Sequence, residues 1–228
     1  MRRLILTILI TAVATLSVVA QRHYRPNFAI GGKAGATLSM MSFSPKVSQG
    51  MLSGAMAGVV VRYTEEKLFG LIAELNIEQR GWSEKYENGE PFRYSRTLTY
   101  IQIPLLTHIR FGSDSFKGFV NLGPEIGYML GNHISANFNW RDVSSVEGYP
   151  QRYRTNRQLE MDIENRFDYG ISGGAGIELI LKRRHSLMLE GRFYYGLGNI
   201  FHAAKKDYFS ASRGMSVEIT AAYLFRLR

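Results

Sequence analysis

Apolar and polar side chains alternate along several segments of this chain, most clearly over residues 98–111. Ile101, Ile103 and Leu105 fall at every second position, and Gln102 lies between them on the opposite face. Successive side chains of a β-strand point to opposite faces, so this segment is predicted to be a strand with one apolar and one polar face. A strand of that kind separates an oily environment from a polar one.

Eight segments have this alternation or the glycine-rich character of a strand. The connections between them alternate between short and long, which is typical of transmembrane β-barrels with tight periplasmic turns and long extracellular loops. An even number of strands brings both ends of the barrel chain to the same side. The pattern therefore predicts an all-β, eight-stranded antiparallel transmembrane barrel. The predicted strands are 28–38, 53–63, 69–82, 98–111, 117–130, 166–180, 186–199 and 214–225.

Sorting the predicted strands by alternate positions separates an apolar face from a charged face. The charged face also carries many glycines, and the interior of an eight-stranded barrel is narrow, so this face is predicted to be the inner one. This favours a membrane barrel over a lipocalin-like soluble barrel, whose apolar face would point inward. The predicted lumen residues are Lys33, Arg62, Glu74, Glu78, Arg80, His108, Arg110, Glu125, Asp168, Glu178, Glu190, Arg192 and Glu218.

Charges in a narrow lumen are strongly penalised unless they form ion pairs and hydrogen bonds. We therefore expect a polar plug of ion pairs rather than an open channel, with a proton or ion path as the alternative. Aromatic rings near the strand ends are expected to form two girdles at the membrane–water boundaries. These are Tyr63, Phe69, Phe111, Phe119, Tyr223 and Phe225 on the turn side, and Trp82, Tyr100 and Tyr128 on the loop side.

The first twenty residues have the pattern of a secretory signal. Met1-Arg2-Arg3 is a positive n-region, residues 4–19 are apolar apart from Thr and Ser, and cleavage is expected after Ala20. The alternative, an uncleaved helical anchor, would be short for a membrane span. We therefore expect a signal peptide over 1–20 and an outer-membrane barrel domain over 21–228, in a Gram-negative bacterium.

Composition narrows the classes of function. The 228-residue chain has no cysteine, so neither a disulfide framework nor a thiolate metal site can form. Its formal charge is +9, or +7 without Arg2 and Arg3, but the basic residues do not gather on one element, which argues against nucleic acid as a partner. The tightest basic cluster, residues 182–185, is expected to be a solvated turn near anionic lipid headgroups.

Several motifs resemble those of one family. Residues 100–106 read Tyr-Ile-Gln-Ile-Pro-Leu-Leu, residues 121–128 read Asn-Leu-Gly-Pro-Glu-Ile-Gly-Tyr, and residues 190–197 read Glu-Gly-Arg-Phe-Tyr-Tyr-Gly-Leu. Together with 167–170 and 174–178, they resemble the PorT-like outer-membrane β-barrel proteins of Bacteroidetes. The resemblance implies a small antiparallel barrel in the outer membrane, mostly without assigned activity. The namesake of the family takes part in type IX secretion and gliding.

Candidate chemistry is sparse. His133-Ile134-Ser135 resembles the local His-x-Ser pattern of lipid A deacylases, but we expect it in a long loop with no carboxylate fixed beside it. The other histidines are scattered without metal-ligand spacing, so no metal site is expected. No phosphate loop or dinucleotide fingerprint occurs, so we expect no cofactor and no catalytic residues.

The long loops are the better place for function, because binding residues concentrate on loops held by a rigid scaffold. The third long loop, 131–165, is mixed in charge and suits lipopolysaccharide, an envelope protein partner, or simply the cell exterior. The last strand ends on Tyr223 and Phe225, an alternating aromatic ending like that of substrates of the outer-membrane insertion machinery. The candidate loop binding residues are Trp140, Arg141, Tyr149, Arg152, Tyr153, Arg154 and Arg157.

Three functions are therefore open. The first is a non-enzymatic barrel with structural, adhesive or partner-binding duties, whose surroundings are outer-membrane lipid and lipopolysaccharide. The second is an accessory component of a type IX-like secretion system, which the family resemblance alone suggests. The third is a lipid A-modifying hydrolase.

Overall fold

The computed structural model describes residues 27–227 except for 66–67, 88–89, 151–155, 183 and 204–206. The predicted signal peptide and its cleavage site lie outside the described residues. Within the described part of the chain, no helix is long and apolar enough to cross a membrane.

The described residues form one antiparallel β-sheet that closes into a ring. Eight strands make the wall, each paired with its neighbours, and the last strand pairs back with the first. An additional two-residue strand pairs with the third strand of this wall. The predicted eight-stranded barrel is confirmed. The strands are β1 (Asn27–Ser44), β2 (Gln49–Gly50), β3 (Leu52–Thr64), β4 (Phe69–Glu84), β5 (Tyr94–Gly112), β6 (Phe116–Ala136), β7 (Phe167–Leu181), β8 (His185–Gly196) and β9 (Ala211–Arg226).

The two ends of the barrel differ in the length of their connections. At one end, residues 113–115 join β5 to β6 and residues 182–184 join β7 to β8, where Lys182 has a φ of 47°. At the other end the connections are longer, and the one between β6 and β7 contains a one-turn helix, α1 (Arg157–Glu160). The short-turn end is the periplasmic end and the long-loop end is the extracellular end.

The alternation along each strand sets what the wall presents to lipid. On β4, Leu75 and Ile77 point outward and are 45% and 54% exposed, whereas Glu74, Asn76 and Glu78 point inward and are buried. The outward rows are apolar because their surroundings are hydrocarbon, and the inward rows carry the polar groups that the lumen can satisfy.

Six of the eight wall strands extend further at the extracellular end than the alternation predicted. β5 begins at Tyr94 instead of residue 98, and β6 continues to Ala136 instead of residue 130. The two strands pair along this extension, with Thr97 opposite His133 and Ser95 opposite Ser135. The prediction that the His133–Ser135 triplet lies in a loop was therefore wrong, because strand pairing continues where the outer face is no longer apolar.

Two apolar clusters fill opposite ends of the barrel interior. The lower cluster lies toward the periplasmic end and consists of Ala29, Val60, Ile72, Leu106, Phe119, Met188 and Leu224. The upper cluster lies toward the extracellular end and includes residues from three of the long loops. Its members are Met41, Phe43, Val47, Trp82, Tyr94, Leu98, Tyr100, Met129, Val143, Tyr149, Leu159, Ile200, Phe201 and Phe209.

Three of the rings predicted to lie in the girdles belong to these clusters instead. Trp82, Tyr100 and Phe119 occupy inward positions and are 0%, 2% and 1% exposed. Their positions have the same parity as the charged lumen residues on the same strands, so the alternation turns them away from lipid. In contrast, Phe111 and Tyr128 point outward, as the girdle prediction requires.

Candidate functional site

The structure places every predicted lumen residue, from Lys33 to Glu218, on the inner face of the barrel. None of them is more than 5% exposed. They lie between the two clusters or from the level of the lower cluster downward, and they divide into a central, an upper and a lower group. The geometry of these groups determines what the interior can do.

The central group is built around Arg192, which lies between two carboxylates. Its guanidinium donates to both carboxylate oxygens of Glu74, at 2.9 and 2.8 Å, and to both of Glu190, at 3.1 and 2.8 Å. The ammonium of Lys33 lies 3.0 Å from Glu74 and 3.7 Å from Glu190. Two cations and two carboxylates from β1, β4 and β8 therefore neutralise one another across the lumen.

Amide and imidazole groups extend the central group to β5 and β6. Asn76 donates to Glu74 at 2.8 Å, and Asn121 donates to Glu190 at 2.8 Å. The Asn121 side-chain oxygen in turn lies 2.7 Å from Nδ1 of His108. Charged groups inside a barrel need such partners because unsatisfied buried charges are costly.

The upper group holds Arg80 between two aromatic rings. The guanidinium carbon of Arg80 lies 4.4 Å from the centroid of Tyr100 and 4.3 Å from that of Tyr194, a cation–π arrangement on both sides. Arg80 also forms ion pairs with Asp168 at 3.1 Å and with Glu78 at 3.5 Å. The Tyr194 hydroxyl donates to the same Asp168 carboxylate at 2.9 Å. The upper group therefore joins the ion pairs to the aromatic cluster above it.

Two lumen carboxylates are without an ion pair among the described residues. Glu125 accepts a hydrogen bond from the Ser172 hydroxyl. Neither oxygen of the Glu218 carboxylate accepts a hydrogen bond from a described residue. The five other lumen carboxylates form ion pairs with Lys33, Arg62, Arg80 and Arg192.

The lower group lies nearest the periplasmic end. Arg62 donates to Glu178 at 2.7 Å, across the lumen from β3 to β7. Arg110 is buried on the last inward position of β5. The lower group therefore adds one closed ion pair at the level of the lower cluster, and the buried Arg110 side chain nearer the periplasmic end.

Little space is left around the central ion pairs. A cavity of about 10 Å³ lies among Lys33, Glu74 and Glu190, close to the least volume that holds a single water molecule. Glycine on the inner face makes room for the large polar side chains, since a Cβ atom at Gly58 would lie 2.1 Å from the Asn76 side-chain oxygen. At this level the lumen is filled by protein.

The long loops fold over the extracellular end of the barrel. Leu159 of α1 is fully buried in the upper cluster, and its carbonyl accepts a hydrogen bond from the Tyr94 hydroxyl at 3.3 Å. Arg96 donates to the carbonyl of Met161 at 2.7 Å, and Gln158 donates to Glu84 at 3.1 Å. These contacts hold the β6–β7 loop against the rim.

The candidate loop binding residues lie in different environments. Tyr149 is only 7% exposed and packs in the upper cluster, so its prediction as part of a binding surface was wrong. Arg141 and Arg157 are exposed, and the Arg141 guanidinium carbon lies 5.0 Å from the centroid of the half-buried Trp140 ring. The three other candidates, Arg152, Tyr153 and Arg154, lie outside the described residues.

The geometry of the His-x-Ser triplet does not resemble a catalytic site. His133 and Ser135 point outward from β6 and are exposed, and the residues opposite them on β5 are Thr97 and Ser95. The described histidine with a carboxylate partner at the extracellular end is His202, 2.7 Å from Asp207. The hydrogen bond to Asp207 raises the pKa of this exposed imidazole. Within the described residues, no group of three or more metal-ligating side chains converges.

Sequence reasoning missed the upper apolar cluster. A signal for it was present, because Tyr94, Leu98 and Tyr100 alternate with Ser95, Thr97 and Thr99 in the phase opposite to that of the membrane segment. Apolar residues that point inward and polar residues that point outward are typical of a barrel wall surrounded by water. The cluster also needs loop residues distant in sequence, which alternation cannot predict.

A closed antiparallel barrel with an apolar outer band and a charged interior defines the class of outer-membrane β-barrel proteins. The chain belongs to the outer membrane protein beta-barrel domain family, whose model matches residues 19–202. The protein is therefore located in the outer membrane.

Comparison with the solved structure of OprG supports the same fold. OprG from Pseudomonas aeruginosa has a TM-score of 0.54 at 12% identity, covering 91% of this chain and 99% of OprG. Neisserial surface protein A has a TM-score of 0.45 at 13% identity, covering 89% and 99% of the two chains. The outer membrane enzyme PagL has a TM-score of 0.39 at 11% identity, covering 83% and 97%. No curated protein sequence matches the chain. The likeness concerns the fold alone, so function must be argued from the site.

Proposed function

We propose that the protein is a non-enzymatic outer-membrane barrel whose lumen is plugged and which acts through its extracellular end. The observation that carries the proposal is the Arg192 group, in which Lys33, Glu74 and Glu190 neutralise one another across the bore. A barrel of eight strands encloses little space beyond its own side chains. The interior then serves as structure, and the loops are left to interact.

Two further features support a barrier rather than a path. The upper cluster lies above the ion pairs and includes residues of three loops, among them Phe201 and Leu159, both fully buried. The lower cluster lies beneath the central group, with Ile72, Leu106 and Met188 as members. An ion crossing the barrel would have to displace apolar packing twice and break the central ion pairs once.

The extracellular end supplies the proposed interaction surface. Arg141 exposes its guanidinium beside the Trp140 ring, and Arg157 on α1 exposes a second one. Guanidinium groups form charge-assisted hydrogen bonds with phosphate and carboxylate. The proposed partners are lipopolysaccharide or an envelope protein at this end, and outer-membrane lipid and the insertion machinery for the barrel itself.

The plugged lumen is tested by electrical recording in planar bilayers. The wild-type protein is expected to give no steady conductance of porin size, because the central ion pairs and both clusters block the bore. Replacement of Arg192 with Ala is expected to raise the leak, since Glu74 and Glu190 then repel each other and admit water. Arg141→Ala, which removes an exposed guanidinium, is the matched control and should leave the recording unchanged. A stable, large conductance of the wild-type protein would contradict the proposal.

The sequence motifs supply a second candidate, an accessory role in type IX-like secretion within the PorT-like group of Bacteroidetes. Its support is the resemblance of residues 100–106 and 121–128 to that group. A deletion strain assayed for secreted proteins tests this role. Mass spectrometry of lipid A from the same strain tests the third candidate, a lipid A-modifying hydrolase, which the exposed His133 and Ser135 do not favour.

A further inference from the structure

The periplasmic end of the barrel opens into a basic bowl. Its volume is about 810 Å³, and it lies between the turns after β3, β5 and β7 and the end of β9. Four cationic side chains line it, and the carboxylate among its described lining residues is that of Asp114. The cations are Arg110, Lys117, Lys182 and Arg226. We call this pocket the periplasmic bowl.

The cations reach the bowl from the inner face of the wall and from a turn. Arg110, Lys117 and Arg226 occupy the last inward positions at the periplasmic ends of β5, β6 and β9. Lys182 joins them from the β7–β8 turn, whose left-handed φ of 47° fixes the direction of the chain there. Three strand ends and one turn therefore direct positive charge into one concave space.

Three of the four cations that line the bowl have no ion pair within the described part of the chain. Lys117, Lys182 and Arg226 form no ion pair with any described residue, and Glu178 on the neighbouring strand is already paired with Arg62 at 2.7 Å. Among the described lining residues, three cations without an ion pair therefore accompany the carboxylate of Asp114. Clefts lined by one sign of charge and enclosed by low-dielectric walls concentrate counter-ions.

The outer edge of the bowl is apolar. Leu68 and Phe111 line the same pocket and are 52% and 56% exposed on the lipid side of the wall. Basic groups next to exposed apolar ones match a molecule that is anionic at one end and apolar at the other. The edge also lies at the level of the outward rings at the periplasmic boundary of the membrane.

We propose that the periplasmic bowl binds an anion of the phosphate class, either the headgroup of a phospholipid in the inner leaflet or free phosphate. Lysine and arginine are the side chains that bind phosphate oxygens most strongly, through charge-assisted hydrogen bonds. Arg110 is buried at the base of the bowl, and the other three cations surround its opening. This site lies at the opposite end of the barrel from the loop surface proposed above and is independent of it.

The proposal is tested with purified protein in a neutral maltoside detergent. Two probes are titrated separately, inorganic phosphate followed by phosphorus NMR and phosphatidylglycerol followed by native mass spectrometry. The test variant is the triple replacement Lys117→Gln, Lys182→Gln and Arg226→Gln. We expect it to lower the affinity for the bound probe at least tenfold.

A control with the same loss of charge separates a site from general electrostatics. It replaces Lys46, Arg93 and Arg166 with Gln, all exposed at the extracellular end and outside the loop surface proposed above, and is expected to bind within twofold of the wild-type protein. Binding of phosphatidylglycerol alone assigns the site to a lipid headgroup, and binding of inorganic phosphate assigns it to the free anion. The proposal is overturned if neither probe binds, or if both triple variants bind alike.

The folding of each variant is checked by the difference in gel migration between heated and unheated samples, which reports a closed barrel. If the triple variant does not fold, Lys117→Gln and Arg226→Gln are measured singly. Each is expected to weaken binding two- to fourfold. Unchanged affinity in both single variants overturns the proposal as well.

Discussion

The barrel wall within the membrane turns its apolar side chains outward, whereas the wall above the membrane turns them inward. On β4, Leu75 points to lipid and Glu74 points to the lumen. Further along the same strand, Gln79 is exposed on the outer face and Trp82 is buried inside. One continuous strand therefore carries two opposite patterns, and the medium outside each part accounts for the difference.

The change of pattern coincides with irregular backbone. Gly81 has a φ of 154°, and a Cβ atom there would lie 1.9 Å from the Arg96 carbonyl oxygen, so the close approach of β4 and β5 requires glycine. On the other side of β5, the register with β6 shifts between Thr99 and Tyr100. A shift of that kind re-aims side chains and increases local twist. The same sheet thus packs in two ways. Apolar side chains face lipid in the membrane segment, and they face the interior in the extracellular rim, the part of the wall above the membrane.

The largest expected loss of stability comes from a substitution in the extracellular rim. Trp82→Ala removes a fully buried side chain that contacts the rings of Phe43 and Phe201 edge-on. We expect it to lower the free energy of unfolding by about 3–5 kcal/mol, the cost of a large cavity in a packed core. The measurement is a urea titration followed by heat-dependent gel migration.

Its control is Phe167→Ala, which removes an exposed ring from the outer wall. The control should cost less than half as much, because that ring has no protein core around it. Equal losses from the two replacements would show that the upper cluster is not a packed core.

The second-largest expected loss of stability comes from a substitution on the outer face of β4. Leu75→Arg places a charge toward the hydrocarbon and is expected to lower stability by about 2–4 kcal/mol and to impair insertion. Gln79→Arg, four residues further on the same face, is expected to cost about 0–1 kcal/mol, because water lies outside it. Insertion efficiency into liposomes is the measurement, and a reversed order would invert the assignment of the two regions.

The third effect compares two carboxylates within the lumen. Glu74→Gln weakens the charged hydrogen bonds from Arg192, Lys33 and Asn76 and is expected to cost about 1.5–3 kcal/mol. Glu218→Gln neutralises a carboxylate without an ion pair among the described residues, so stability should stay the same or rise. Urea titrations of the two variants measure the difference, and an equal loss from both would mean that the pairing does not stabilise the barrel.

The membrane segment was predictable because a single rule governs it. The outward apolar rows of β4 and β5, such as Leu75 and Ile101, follow from a period of two next to hydrocarbon. The positions between these rows carry the charged residues, so the alternation also predicts that the charges point inward. An apolar outer face and a charged inner face together predict the class of barrel. Which carboxylate pairs with which cation, for example Glu178 with Arg62, depends on strand tilt and side-chain reach, which alternation does not encode.

The rim was less predictable because two regions distant in sequence complete it. The sequence predicts an exposed loop position for Tyr149, yet its ring packs against Phe92 and Phe138, from different connections, with ring centroids 5.1 and 5.2 Å away. The residue type of Trp82 predicts a place at the membrane boundary, whereas its position in the alternation predicts the interior, where the side chain lies. At this end of the barrel, the position in the strand alternation therefore predicts the direction of a side chain better than its residue type does.

The seam between β1 and β9 has a consequence for the order of assembly. Every other seam of the ring joins wall strands that follow one another in the chain, apart from the short β2, but this one pairs Ala29 with Arg226 and Ser44 with Ala211. Contacts so distant in sequence form late and slowly. Until they form, both strands are free edges with unpaired amide and carbonyl groups, which attract foreign strands. The protein is therefore most prone to wrong strand pairing in the interval before the ring closes, when the last strand has not yet paired with the first.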